Sequence, residues 1–340
     1  MLTPSPLNYT GGKFKLLPQI LPHFPQKIDT FVDLFCGGCS VGINVPAERV
    51  FFIDRNPQLM HLYSTFRALG IESVFRRAEA IIESFTLSRT DLNGYAHYDC
   101  ESSGGLGTFN RDGFLRLREA YNTAPNLPKP YIRKVRTKER LDAGFSQTAF
   151  TEVLYPPLEE ACYTADKDAP DYMLLYILIV FAFNNQIRFN RNGHFNLPVG
   201  KRDFNGRMQE KLRTFLTRLE QGEFRFFTGD FRVFDPQQLT KDSLVYCDPP
   251  YLITCATYNE QGGWSESDER DLLDYLDELN HHGLRFALSN VLRSQDSENT
   301  LLINWAKKYR TIPLTHSYKN SNYQRKDKSS AAEEVLILNY

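Results

Sequence analysis

Short apolar runs near both ends of the chain alternate with amphipathic ones, while the middle follows a different rhythm. Ile28 to Phe35 is mostly apolar, contains β-branched residues and stops at Gly37-Gly38, which predicts a strand, a turn and a short helix from about Ser40. Arg49 to Ile53 predicts a second strand ending at Asp54. Phe224 to Phe227, Ser243 to Cys247 and Leu284 to Leu288 predict three more, and Glu334 to Tyr340 a last one. A helix is expected between the fourth and fifth: Ser265 caps it, Asp268 sits three residues on, Leu272, Leu273, Leu276 and Leu279 share a face, and Gly283 stops it. Phe14, Leu17, Ile20 and Leu21 mark another amphipathic helix. Strands alternating with helices predict an α/β sheet with crossover connections.

From about Thr86 to Phe226 the strand rhythm disappears. Helical segments fit Phe114 to Tyr121 and Tyr172 to Asn184. Between them, Thr123 to Asp168 carries prolines and the cations Lys129, Arg133, Lys134, Arg136, Lys138 and Arg140. Such a stretch reads as a solvated loop, or as one that meets phosphates. The predicted organisation is a discontinuous sheet domain, residues 1–86 and 226–340, with a mainly helical module, 87–225, inserted into it. Residues 123–168 form an extra segment of that module.

Composition narrows the class. The chain has 340 residues, enough for one large domain or two ordinary ones, with the apolar and charged fractions of a soluble globular protein. A net charge of −1 leaves nucleic acid open, because local patches matter more than totals. Met1-Leu2-Thr3-Pro4 has neither the basic region nor the apolar core of a signal peptide, and Met173 to Phe183 is too short to span a bilayer. A cytoplasmic protein is therefore expected. Six cysteines in that compartment do not predict a disulfide framework. Cys36-Gly37-Gly38-Cys39 has redox or metal-ligand spacing, but no second pair follows; filling a glycine turn is the simpler role, and no metal is expected.

The chemistry concentrates at strand ends. Asp248-Pro249-Pro250-Tyr251 follows a buried apolar run. The prolines cannot continue a central strand and donate no backbone hydrogen bond, so carbonyls, a carboxylate and a flat ring share one corner. Such a corner accepts hydrogen bonds from an amine and stacks on a planar base. Asp33-Leu34-Phe35-Cys36-Gly37-Gly38 has the layout of a nucleotide-cofactor loop, and Asp54 stands where an acid commonly takes ribose hydroxyls. The dinucleotide fingerprint is missing, which disfavours a dehydrogenase; a ribose-bearing cofactor without pyrophosphate, S-adenosylmethionine above all, fits better. Tyr9-Thr10-Gly11-Gly12-Lys13 lacks the spacer of a P-loop and reads as an aromatic and a lysine laid over a small ligand, or as a plain helix start. Asn192-Gly193 between polar and aromatic arms predicts a type I′ hairpin. Arg188, Asn190, Arg191, Asn192, His194 and Asn196, with Lys201 and Arg202 beside them, read either as a solvated hairpin or as one suited to a DNA groove, where Arg pairs guanine and Asn pairs adenine.

In order and spacing these segments resemble the DNA adenine methyltransferases of the Dam/DpnM (D12) class, α group. The resemblance rests on Tyr9 to Lys13, Phe31 to Asn44, Phe52-Ile53-Asp54, Arg188 to Gly200 and Asp248 to Tyr251, with Leu117-Arg118, Tyr121-Asn122, Leu288-Ser289-Asn290 and Glu333 to Leu338 in support. It covers most of the chain except about 123–168. It implies a Rossmann-like S-adenosylmethionine-dependent methyltransferase sheet with a recognition module that carries a β-hairpin. It implies that Tyr9, Gly11, Gly12, Lys13, Asp33, Phe35 and Gly37 bind the cofactor, that Asp54 holds its ribose, that Asp230 meets its adenine, and that Asp248 lies between cofactor and target. Pro249 and Pro250 complete the catalytic corner, and Tyr251 stacks on a flipped adenine. Tyr9 replaces a more usual tryptophan, and Arg202 stands where some relatives carry an aromatic. The implied partner is double-stranded DNA, at GATC or a related short site, with a cognate restriction endonuclease possible and a monomer expected. A non-catalytic DNA-binding protein on the same scaffold stays open, as does an amino-methyltransferase acting on RNA or on protein glutamine; the glutamine enzymes prefer an Asn-Pro-Pro-Tyr start.

Overall fold

The apolar runs near the two ends become strands whose side chains are buried on both faces, as a sheet covered by helices requires. The computed structural model describes residues 2–129, 134–141, 147–166, 168–253, 264–294, 297–315 and 332–340, with backbone alone for 134–141 and 147–154. The strands are β1 (Thr30–Asp33), β2 (Arg49–Asp54), β3 (Lys134–Leu141), β4 (Gln147–Leu154), β5 (Glu159–Glu160), β6 (Glu223–Thr228), β7 (Leu244–Cys247), β8 (Arg285–Ser294), β9 (Ser297–Glu298), β10 (Arg310–Leu314) and β11 (Glu333–Leu338). The helices are α1 (Leu17–Ile20), α2 (Pro57–Ser84), α3 (Thr90–Asn93), α4 (Ser103–Asn122), α5 (Tyr172–Phe181), α6 (Gly206–Glu220), α7 (Glu266–His281) and α8 (Thr300–Ala306).

The main sheet runs β10-β11-β8-β7-β1-β2-β6-β5, with the short β9 paired to β8. β1 lies parallel to both β2 and β7, and the parallel pairing continues outward to β6 and β8. β11 is antiparallel to both β8 and β10. The order therefore proceeds in opposite directions from β1, which makes the carboxyl ends of β1 and β7 the switch point where open α/β sheets bind ligands. The helix predicted between β7 and β8 forms as α7, with Ser265 and Asp268 closing a reciprocal capping box.

The two faces of the sheet bury separate clusters. One takes Leu272 and Leu276 of α7 and Leu302 of α8. The other joins Phe52 and Phe226 of the sheet to Leu62 of α2, Phe114 of α4, Tyr176 of α5 and Phe215 of α6. The long helix α2 begins at Asn56, whose side chain caps Leu59 N–H at 3.3 Å, and bends at left-handed Gly70. Its polar surface residues dilute the periodicity, so the pattern of apolar positions alone does not reveal it. No helix among the described residues is long and apolar enough to cross a membrane.

Four details depart from expectation. The turn after Ser40 is a single 3₁₀ turn, Gly42–Asn44. The helix behind Lys13 is broken into three short pieces over 13–23, since Pro18 and Pro22 each remove an N–H donor. The basic stretch forms an antiparallel ribbon, β3 against β4, with Arg136 opposite Glu152. Lys134-Val135-Arg136-Thr137-Lys138 alternates with period two, which the high charge conceals; Arg133 lies outside the described residues. The hairpin turn is also of a different type. Gly193 N–H bonds Asn190 O at 2.9 Å, and within the turn Gly193 alone has positive φ, +81°. That is a type I corner at Arg191-Asn192 followed by a left-handed glycine, the geometry of a longer hairpin loop, not the type I′ pair.

Helix α4 approaches the chain after α2 closely: a Cβ at Gly113 would stand 2.1 Å from the Phe85 carbonyl oxygen. Gly113→Ala should therefore push the two segments apart and lower stability by about 1–3 kcal/mol. Urea denaturation tests this; an unchanged midpoint would contradict the close packing.

Candidate functional site

The switch point gathers acids that the sheet delivers from separate strands. β1 ends at Asp33, β2 at Asp54, and β7 runs into Asp248. Beyond β7, Pro249 is buried and Pro250 exposed, so the ladder ends where the carboxylate begins. Lys13 enters from the amino-terminal segment, its side chain 6% exposed, and its Nζ lies 2.8 Å from Asp248 Oδ1 and 3.6 Å from Glu334 Oε1. The same ammonium donates to Gly11 O at 3.1 Å. Tyr251 OH lies 3.1 Å from Asp248 Oδ1 and 3.0 Å from Glu334 Oε1, and Lys13 Nζ sits 5.0 Å from its ring centroid. One ammonium and one phenol thus hold two carboxylates together. Burial raises the Asp248 pKa, Lys13 pulls it back, and Glu334 pushes it up again. Burial, followed by the two acids, raises the Tyr251 phenol well above its usual value, so it acts as a donor.

The glycine loop forms the next wall. Gly37 has φ +44°, and a Cβ there would stand 2.5 Å from Tyr9 Cε1; at Gly38 it would stand 2.9 Å from Tyr9 Cβ. Only glycine lets the Tyr9 segment lie against the loop this closely. Gly12 N–H closes a turn onto Tyr9 O at 3.3 Å. Asp54 Oδ2 accepts Gly37 N–H at 2.9 Å and Oδ1 accepts Asn56 N–H at 2.9 Å. Burial raises its pKa, and those two N–H groups oppose the rise. Cys36 and Cys39 are free and buried, and burial pushes both thiols up, the behaviour of fillers. Phe35 packs at 5.5 Å from Phe231 and 5.7 Å from Trp264, edge-on to the indole.

Asp230 is fully buried beside Phe231 and holds two guanidiniums. Arg55 bonds Oδ2, and Arg232 lies 3.0 Å from Oδ1. Arg232 reaches on to Asp268 and Asp271 of α7 at 2.7 Å each. Asp230 thereby ties the β6 loop to α7 and to the chain after β2.

The candidate DNA residues divide into two groups. Asn190 Oδ1 accepts Asn192 N–H at 2.9 Å and His194 N–H at 3.1 Å, so its side chain builds the turn. Arg188 Nε bonds Asn196 Oδ1 at 2.8 Å across the arms. Arg191, Asn192 and Lys201 are exposed, His194 is half-buried, and Arg202, also exposed, donates to buried Asn185 Oδ1 at 3.0 Å. Phe189 and Phe195 pair beneath the arms, 5.9 Å apart. The end of α4 grips this hairpin: Asn122 exchanges two hydrogen bonds with the Phe195 backbone, at 2.8 and 3.0 Å, and Arg118 donates to Leu197 O at 3.2 Å.

Glu334 and Gln58 carry no role in the sequence reading. Glu334 opens an apolar run, and period two turns one of the two adjacent acids inward; that is the signal available for it.

An open sheet with a β1/β7 switch point, an antiparallel β11 between β8 and β10, and an acid-proline-proline-tyrosine corner at its mouth defines the class of Rossmann-like methyltransferases. The family model for D12 class N6 adenine-specific DNA methyltransferase matches residues 9–327, and the chain belongs to that family. Type II methyltransferase M.FokI of Planomicrobium okeanokoites is 37% identical, the match covering 99% of this chain and 43% of the relative. Modification methylase StsI of Streptococcus sanguinis is 36% identical with the same coverage. DNA adenine methylase of Haemophilus influenzae is 26% identical over 72% of this chain and 63% of its own length. The chain thus spans less than half the length of the first two relatives.

The buried Asp33 generates a pH prediction. Its Oδ2 accepts Gly42 N–H at 3.1 Å. Burial pushes its pKa from 3.8 up to about 8, the N–H opposes this, and the Asp248 and Asp54 charges add to it. Between those values the native chain holds a proton that the unfolded chain releases, so stability is lost as pH rises through the window. Asp33→Asn keeps an acceptor and removes the titration. Its melting temperature relative to wild type should climb from pH 4 to pH 8; a constant difference would contradict a neutral Asp33.

Proposed function

We propose that this chain is a site-specific DNA adenine methyltransferase that acts on the exocyclic amine of an adenine flipped out of duplex DNA. The observation that carries this reading is the Lys13-Asp248-Tyr251 cluster at the mouth of the switch point, 2.8 Å and 3.1 Å from Asp248 Oδ1. Family membership and relatives named as adenine methylases and modification methylases support it. The glycine loop against Tyr9, the acid at the end of β2 and the absence of a pyrophosphate-sized glycine pattern fit S-adenosylmethionine, which supplies the electrophilic methyl when bound. Tyr9, Gly11, Gly12, Asp33, Phe35 and Gly37 would line its site, Asp54 would take its ribose, and Phe231 beside Asp230 would flank its base.

Adenine's amine is a weak nucleophile because its lone pair is delocalised into the ring. Asp248 carboxylate and Pro249 carbonyl accept hydrogen bonds from that amine and favour a pyramidal nitrogen. The lone pair then points toward the glycine loop, and alignment supplies much of the rate. Tyr251 exchanges its bond to Asp248 for stacking on the extruded ring, which offsets part of the few kcal/mol that flipping costs. Burial pushes the Asp248 pKa up, and Lys13 opposes that rise and so favours the carboxylate form. Arg191, Asn192, Lys201 and Arg202 on the hairpin and its flank reach the groove, at GATC or a related short site. The relatives named as modification methylases support a restriction endonuclease as the biological partner.

Single-molecule sequencing of DNA from a host expressing the chain should reveal N6-methyladenine in one short context. Asp248→Ala should abolish the mark while cofactor binding falls only in part. Methylcytosine in place of methyladenine, or wild-type marking by the variant, would overturn the reading.

A further inference from the structure

Gln58 sits on the first turn of α2, four residues after the acid that ends β2, and is 1% exposed. Its amide joins three distant segments. Nε2 donates to Gly193 O at 2.7 Å, in the hairpin turn, and to Pro128 O at 3.0 Å, where the chain heads for the β3–β4 ribbon. Oε1 accepts Tyr121 OH at 2.8 Å, from the end of α4. Two donors and one acceptor are all used, and the reverse orientation would face the amide oxygen with two carbonyls. The contact leaves no slack: a Cβ at Gly193 would stand 2.4 Å from Pro128 O. On the other side, Asp54 bonds Gly37 of the cofactor loop and Asn56, the cap of the helix that carries Gln58.

Polar contacts therefore run from the glycine loop through Asp54 to the Asn56 cap, and the backbone of the first turn of α2 joins them to Gln58 and the hairpin. We propose that Gln58 is a positioning residue that couples the cofactor pocket to the DNA-reading hairpin, so that filling the pocket sets the turn at Gly193 for its site. This rests on DNA adenine methylation as the activity. Displacement of Asp54 by a bound ribose would be passed to the start of α2. Because Gln58 holds the Gly193 and Pro128 carbonyls in one grip, the hairpin turn and the root of the ribbon would shift together.

Such coupling is a ratio of affinities and is reciprocal. The test measures the dissociation constant of a short duplex bearing the methylated site, with and without saturating S-adenosylhomocysteine. In the wild-type chain the nucleoside should tighten duplex binding by about fivefold or more. Gln58→Leu, which removes the amide at similar size, should bring that ratio close to one. Tyr121→Phe, which deletes one of the three bonds, should lower it partway, and this milder variant carries the test alone if Gln58→Leu does not fold. A merely structural role predicts a lower melting temperature and weaker binding under both conditions, with the ratio unchanged. An unchanged ratio in a folded variant, or a wild-type ratio of one, overturns the proposal. Absence of any methyladenine in the sequencing experiment would instead sink the activity on which it rests.

Discussion

The buried ammonium of Lys13 between Asp248 and Glu334 is the interaction on which the rest of the site depends. Two carboxylates, one following β7 and one from β11 with β8 alone between those strands, would repel one another without it. With it, and with the Tyr251 hydroxyl in reach of both acids, they stay within one hydrogen-bonded cluster. Removing one partner of a buried ion pair typically costs about 3–5 kcal/mol, because the remaining charge is left uncompensated. The local consequence is chemical. Asp248 is pushed up by burial and drawn back by Lys13, so the lysine favours the carboxylate form that the proposed role needs.

The sheet makes this cluster possible. β1 and β7 lie side by side and diverge in connection, so the glycine loop and the Asp248 corner both follow the switch point. β11 runs antiparallel beside β8 and brings Glu334 to that corner. The amino-terminal segment adds Lys13 below and Tyr9 against Gly37 and Gly38. On the outer side, α4 holds the hairpin through Arg118 and Asn122, its Tyr121 donates to Gln58, and α2 carries Gln58 to the hairpin turn. The helical block shares one core with a face of the sheet, so the hairpin and the Asp248 corner are mounted on a common support.

What was legible in the sequence was local. The Asp248 corner, the glycine loop, the acid that ends β2 and the capped helix α7 each announce themselves within a few residues, because strand ends, turns and caps are decided by neighbours in the chain. Arg188 to Asn196 was legible as a hairpin, but not its turn type, since Asn192-Gly193 satisfies two loop geometries and packing against Pro128 accompanies the longer one. What stayed hidden depends on long-range partners. Nothing near Glu334 in sequence tells that it meets Lys13, and Gln58 in a mixed polar helix start looks like a surface residue. Nor do the neighbours of Asp230 in the chain tell that it holds both Arg55 and Arg232. The basic ribbon was concealed because charge count outweighs its alternation.

The most direct measurement of the account is the pH–rate profile of single-turnover methyl transfer in Lys13→Met against wild type. If Lys13 keeps Asp248 ionised, the variant should lose about a hundredfold in rate at neutral pH, and its acidic limb should move to higher pH, where the undamped Asp248 finally ionises. A rate and acidic limb equal to wild type would contradict the claim that this buried lysine sets the site.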